Sequence, residues 1–302
     1  MWVWAPETPA EVSVANGGHV APTTLVLGGS KALVIDPGPS HAHAWRVRES
    51  VRCRFRARVR WVVNTHAHAE NVLGNSAFAE DVAQGAVEIL ATAATREAMA
   101  LRCPACLASL RARVGDAAMA GTRIVLPGRT LLAGDELRVG EHRLKVLPVE
   151  QGHTEGDLVL WEADRGLLWA GGLVYEGRVP ELAQGRLDDW LAALQRLQAL
   201  RPAVVVSTGV SRAGPSGLPP PALLATLAYL LDLRAAVLQA MDAGRQPQEP
   251  GVAALPAYRS WVGYAERHDF NVQRAWRELE PVWMDQGMPP PPADGSAQDV
   301  GR

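Results

Sequence analysis

The run Val62-Val63-Asn64-Thr65-His66-Ala67-His68-Ala69-Glu70-Asn71 constrains this chain more than any other stretch. A β-branched apolar segment stops abruptly at two histidines one residue apart. Residues i and i+2 of extended backbone point to the same side, so both imidazoles reach a common point. Neutral imidazole is a standard zinc ligand, and a pair held at a strand end loses little freedom on binding.

At 302 residues the chain can bury a sizeable core, as one large α/β domain or two small ones. Its 48% apolar and 21% charged residues match a soluble globular protein. A net charge of −2 gives no electrostatic reason to expect nucleic-acid or anionic-membrane binding. Arg46, Arg48, Arg52, Arg54, Arg56, Arg58 and Arg60 alternate with other residues, as on the solvated side of a helix and strand. The three cysteines are too few for a disulfide framework. The start, Met1-Trp2-Val3-Trp4, lacks the basic and apolar regions of a signal peptide. No apolar run is expected to reach the ~20 residues that cross a bilayer. A cytoplasmic protein is expected, or a periplasmic one if the natural start lies upstream.

Short strands are expected at residues 12–14, 24–27, 32–35, 59–64, 88–91, 122–126, 136–139 and 143–148. A hairpin is expected over 158–162 and 166–170, and a last strand at 204–207. Helical composition marks 41–52 and 95–113, and helical apolar spacing marks 187–200. From Pro219 the chain turns helical, at 222–241, 258–268 and 271–279. These ranges imply a main domain at 1–215, a helical extension at 216–285 and a disordered Pro-rich tail at 286–302. Strands lead each half and helices follow, which suits an αββα sandwich with a site at the strand ends.

Several landmarks then resemble the metallo-β-lactamase fold superfamily, over roughly residues 12–212. Thr65 to Asn71 resembles its T-H-x-H-x-D-H signature, with Glu70 in place of Asp and Asn71 in place of His. Gly152-His153-Thr154-Glu155-Gly156-Asp157 matches the third-ligand motif H-T-x-G-D, and Ala32 to Gly38 matches an early strand-turn. Leu168 to Tyr175 matches the strand and turn that normally reads G-D, with Gly172 in place of Asp. Val204 to Gly209 sits where V-V-P-G-H is usual, with Gly209 in place of His. More narrowly, the chain is similar to the quinoprotein relay system zinc metallohydrolases, whose C-terminal helix resembles Asn271 to Glu280.

The resemblance implies an α/β sandwich of that family with a C-terminal helical extension. It implies a first metal site of His66, His68 and His153, and a second site whose positions, Glu70, Asn71, Gly172 and Gly209, all depart from the pattern. One zinc per chain is therefore expected, with an open fourth position. Glu70 is the candidate general base and Asn71 a candidate partner for a substrate oxygen. The implied activity is hydrolysis of a small-molecule ester, thioester or amide. Its rival is an inactive accessory protein for a quinoprotein, sulfur-oxidation or other redox partner.

Asp36 and Asp157 read as residues that hold turns, and Gly171-Gly172 as a tight turn. His19, His41, His43, His142 and His268 lack motif partners and read as structural or surface residues. Cys103-Pro104-Ala105-Cys106 is a candidate thiol or disulfide pair, and with Cys53 alone no Cys₄ zinc site is available. Of the ten tryptophans, Trp61, Trp161 and Trp169 are expected in the core, and Trp261, Trp276 and Trp283 along packed C-terminal helices.

Overall fold

The structure is a computed structural model that describes residues 1–7 and 9–285. The tail expected to be disordered at 286–302 lies outside the described residues. Two six-stranded sheets form the centre. The first runs β1 (Trp2–Trp4), β2 (Thr23–Gly28), β3 (Lys31–Ile35), β4 (Arg58–Val63), β5 (Glu88–Ala91), β6 (Arg129–Thr130). Its first three strands pair antiparallel and β3 to β6 pair parallel. Two long helices, α1 (His41–Arg54) and α4 (Ala93–Val114), make parallel crossovers, with the short α2 (Ala69–Val72) and α3 (Ala79–Ala83) between them.

The second sheet has the order β12 (Val210–Arg212), β11 (Val204–Val206), β10 (Leu167–Trp169), β9 (Glu155–Glu162), β8 (His142–Gln151), β7 (Glu136–Val139). β7 to β10 form an antiparallel meander, and α5 (Leu187–Ala199) crosses over to the parallel β11. α6 (Pro221–Asp242) and α7 (Tyr264–Asp285) follow.

The strands alternate, yet both their faces are apolar, which is the mark of a sheet covered on both sides. Val26, Leu33, Ile35 and Val63 face Leu144, Leu158, Leu160 and Trp169 between the sheets. Their neighbours Leu25, Val34 and Val62 point outward onto Ala44, Val47 and Val51 of α1. On the far side Val159, Leu168 and Val205 meet α5, α6 and α7 through Trp190, Leu230, Val272 and Trp276. The four layers are those of the expected αββα sandwich, and the C-terminal helices share a continuous core with its second sheet.

Several expected elements differ. Residues 12–14 form no strand. The Asn16 side chain takes the Ser13 and Gly18 N–H groups and donates to Glu11 O, which folds the segment into turns. β1 pairs with β2 instead. Residues 122–126 are also unpaired, and the edge beside β5 is closed by β6. The helices expected at 258–268 and 271–279 are a short 3₁₀ turn, Pro256–Tyr258, and then the single α7. α6 is long and apolar enough to cross a bilayer by length and composition, a property not expected from the sequence. Here Leu223, Tyr229, Leu230, Leu233 and Val237 of that helix are buried in the core.

Where the β2–β3 turn meets the β7–β8 turn, Gly28 and Gly140 pack backbone to backbone. A Cβ at Gly28 would overlap Gly140 N and Val139 C, and Gly140 has φ +61°. Gly28→Ala is expected to destabilise the fold by about 1–3 kcal/mol, because no flexible side chain is there to yield. Urea unfolding of the variant against wild type measures this.

Candidate metal centre

β3 and β4 are parallel neighbours whose last residues, Ile35 and Val63, lie in register. Just beyond, Asp36 takes φ +50° and donates its N–H to Val63 O at 2.9 Å. Its carboxylate accepts from Thr65 N at 2.9 Å and from Thr65 Oγ1 at 2.7 Å. With its hydrogen given to Asp36, Thr65 Oγ1 accepts from His66 Nδ1, 2.9 Å away. His66 therefore turns a bare Nε2 into the site. His68 is the N-cap residue of α2 and its side chain makes no cap hydrogen bond, so the ring is free to face His66. The ring centroids are 5.0 Å apart.

His153 stands in the turn between β8 and β9. Asp157 braces that turn by accepting from Thr154 N at 3.0 Å and from Thr154 Oγ1 at 2.5 Å. Gly156 O accepts from Thr92 Oγ1 at 2.7 Å and Thr95 Oγ1 at 2.9 Å, which ties the turn to α4. His153 Nδ1 donates to Glu181 O at 2.9 Å, leaving Nε2 to face His68 Nδ1 at 3.1 Å. The Asp36 and Asp157 carboxylates thus hold the histidine loops, as their reading as turn residues implies.

One ligand atom from each of His66, His68 and His153 lies within 4.8 Å of the others. Burial, with His68 close by, holds His66 and His153 well below the usual imidazole range, so both offer lone pairs. A tetrahedral zinc with ~2.0–2.1 Å bonds needs its nitrogens roughly 3.3 Å apart, close to the 3.1 Å between His153 Nε2 and His68 Nδ1 and inside the 4.8 Å span of the set. The residues fit a zinc ion. Burial also pushes Asp36 up to about 7 and Asp157 up to about 6, against the lowering effect of the threonine hydrogen bonds.

A chamber of about 10 Å³, room for about one water, lies between His66, His68, Asn71, Gly172, Arg178 and Glu181. Beside it a cleft of about 390 Å³ is lined by His68, Glu70, Cys106, Arg113, Gln184 and Arg267. Glu70 is half-buried there, with Oε1 3.8 Å from His68 Nδ1. Asn71 is buried on the wall of the small chamber, and its main-chain carbonyl accepts from Gly38 N at 3.0 Å. Gly172 has no space for a side chain, because its Cβ would strike the His153 ring, and a Cβ at Gly209 would strike the Glu176 carboxylate.

Cys103 is fully buried and Cys106 lies on the cleft wall, both as free thiols. Burial pushes Cys103 up to about 12 and also raises Cys106, with Glu70 adding to the latter shift. That direction opposes thiolate reactivity. His43 bonds Thr23 Oγ1, His142 bonds Glu162, and His268 bridges Tyr229 and Ala253 O. Glu181 and the buried Arg178, whose Nη2 lies 3.7 Å from the Glu181 carboxylate, were not singled out by the sequence. Glu181 serves His153 through its main-chain carbonyl, which every residue possesses, so its identity carries no trace of that role.

The family model of the Metallo-beta-lactamase superfamily matches residues 16–209. A metallo-beta-lactamase type 2 from Bacillus sp. (strain 170) is 27% identical over 213 residues, covering 69% of this chain and 74% of that protein. The acyl-coenzyme A thioesterase MBLAC2 of Gallus gallus is 31% identical over 77 residues, 25% of this chain and 27% of the thioesterase. Among solved structures, a metallo-beta-lactamase from Pontibacter korlensis superposes with a TM-score of 0.52 at 23% identity, covering 70% of this chain and 87% of that one.

Removing the Thr65 hydroxyl in Thr65→Val is expected to weaken zinc binding about 10–100-fold, measured by chelator competition. A pH effect follows from His66 and His153. Their folded pKa values lie below the ordinary 6.5, so the unfolded chain takes up protons that the folded one refuses. Their contribution to stability is complete above pH 6.5 and is lost as pH falls below it. Asp36, shifted upward, has the opposite sign: its contribution is present at low pH and is lost as pH rises toward about 7. The difference in melting temperature between metal-free wild type and His153→Gln isolates the histidine effect, and wild type should lose ground as pH falls below 6.5.

Proposed function

This chain belongs to the metallo-beta-lactamase superfamily, and from that membership we propose a hydrolase that holds a single zinc on His66, His68 and His153. The observation that carries the proposal is the orientation of the three rings. His66 and His153 each commit Nδ1 to a protein acceptor, which leaves Nε2 free on both, and the His153 Nε2 faces His68 Nδ1 at 3.1 Å. Zinc held there would supply Lewis acidity, for an acyl carbonyl and for activating water near neutral pH.

The chain's own residues do the rest. Glu70, on the cleft wall beside His68, takes the proton of the attacking water and returns it to the leaving group. The cleft of about 390 Å³ is large enough for a small acyl substrate. Its charges balance, with Glu11, Glu70 and Glu181 against Arg113, Arg178 and Arg267. Ester, thioester and amide are the bonds within reach of this chemistry. The thioester draws support from the local likeness to an acyl-coenzyme A thioesterase. A one-ion site is favoured because Gly172 and Gly209 offer no ligand atoms and their Cβ positions are filled. Asn71, on the wall of the small chamber, is the candidate partner for a substrate oxygen.

The same four second-site positions favour a rival, an inactive accessory protein for a quinoprotein, sulfur-oxidation or other redox partner. It keeps the narrower likeness to the quinoprotein relay system. Trp276 is buried and Trp261 and Trp283 pack against the core, which removes them as an obvious partner surface.

Elemental analysis and a thioester hydrolysis assay separate the two. About one zinc per chain is expected, with zinc and turnover both lost in His153→Ala. Glu70→Gln should keep its zinc and lose about 10²–10⁴ in kcat. A zinc-free wild type, or unchanged hydrolysis in His153→Ala, would remove the hydrolase.

A further inference from the structure

Arg267, Asn271, Arg274 and Glu278 recur along α7 at intervals of four, three and four, which aligns them on one side of the helix. All four reach the same segment, residues 180–188, which leads into α5. Asn271 Nδ2 donates to Pro180 O at 2.7 Å, and its Oδ1 accepts from Leu182 N at 3.1 Å. The two bonds bracket Glu181. Arg267 Nε lies 3.0 Å from the Glu181 carboxylate, and Arg274 donates to Gly185 O at 3.1 Å. Glu278 accepts from Leu187 N at 2.9 Å and Asp188 N at 3.2 Å, satisfying free N–H groups in the first turn of α5.

That segment is the outer support of the third histidine. Glu181 O accepts from His153 Nδ1 at 2.9 Å, and Arg186 N donates to Gly152 O at 3.1 Å. Asn271 is 1% exposed, and its amide is committed to Pro180, Leu182 and, at 3.0 Å, Tyr229 Oη. A buried amide satisfied this fully specifies one arrangement of its partners.

We infer that α7 is a positioning element of the metal centre, and that Asn271 fixes the ring and tautomer of His153 through the Glu181 carbonyl. The inference rests on the zinc assignment to His66, His68 and His153. An imidazole without its acceptor exchanges tautomers and rotates, so its Nε2 lone pair points at the ion for less of the time. α7 touches no ligand atom, yet loosening it should weaken the metal.

The test uses the full chain as wild type, Asn271→Ala, Asn271→Asp and Tyr229→Phe. Zinc affinity is measured by competition with a chromophoric chelator. The His153 tautomer is read in the metal-free protein by ¹H–¹⁵N NMR. Asn271→Ala should bind zinc about 10–100-fold more weakly and lose Nδ1–H population at His153. Asn271→Asp keeps the acceptor for Leu182 N–H and should fall between that variant and wild type. Tyr229→Phe removes an Asn271 bond that does not lead to His153, and should stay within about twofold of wild type by the same measure. Folded Asn271 variants with unchanged affinity and tautomer would overturn the inference. So would Tyr229→Phe weakening zinc as much as Asn271→Ala, since that marks a general loss of stability. If Asn271→Ala does not fold, the Asn271→Asp series decides. A wild type that binds no zinc counts against the zinc assignment alone, because the tautomer series still tests Asn271.

Discussion

The arrangement of the three imidazoles depends on two buried carboxylates, which hold the loops that carry His66 and His153. Asp36 and Asp157 use the same device. Each accepts from the main-chain N–H and the hydroxyl of a threonine adjoining a histidine, Thr65 before His66 and Thr154 after His153. Burying a carboxylate is costly unless it is hydrogen-bonded. Part of that cost persists as the upward shifts to about 7 and about 6. The sandwich around them supplies the positions: β3 and β4 end in register, and β8 and β9 close on the turn that presents His153.

The centre joins the two halves of the chain as well as two loops. Leu158 of the second sheet donates to Thr65 O at 2.8 Å, and Thr92 and Thr95 of the first half hold Gly156 O. α7 closes the arrangement from outside through the segment that carries Glu181. Histidine loops, sheet ends and C-terminal helix are thus one connected hydrogen-bonded structure, in which each layer fixes the ligand set from a different direction. On the proposed reading, the small chamber beside His66 and His68 is where the ion would sit, and the adjoining cleft is where substrate would be received.

Much of this was legible in the residues. The strands at 24–27, 32–35, 59–64 and 88–91 correspond to β2 to β5 because their apolar residues cover both faces of a buried sheet. The misreadings have local causes. Around Ser13 a single side chain, Asn16, outweighed a short apolar stretch. At 122–126 the chain passes the edge of the sheet before two residues pair. The helix end expected at His268 falls near the start of α7, where the ring is buried between Tyr229 and Ala253 and the helix continues past it. Glycine at 172 and 209 was visible as a departure from a pattern, whereas the packing of His153 and Glu176 against those positions was not.

The amino-acid order by itself determined the layered α/β architecture and the His66–His68 pair, because periodicity and ligand chemistry are properties of residue types at short spacing, and the resemblance of its motif joined His153 to that pair. Only the tertiary structure decided which nitrogen each histidine presents and what holds it there. Those choices rest on the Thr65 hydroxyl, the Glu181 carbonyl and an asparagine 118 residues after His153. A main-chain carbonyl looks the same at every position in a sequence, so its role exists only where folding brings it against a ring.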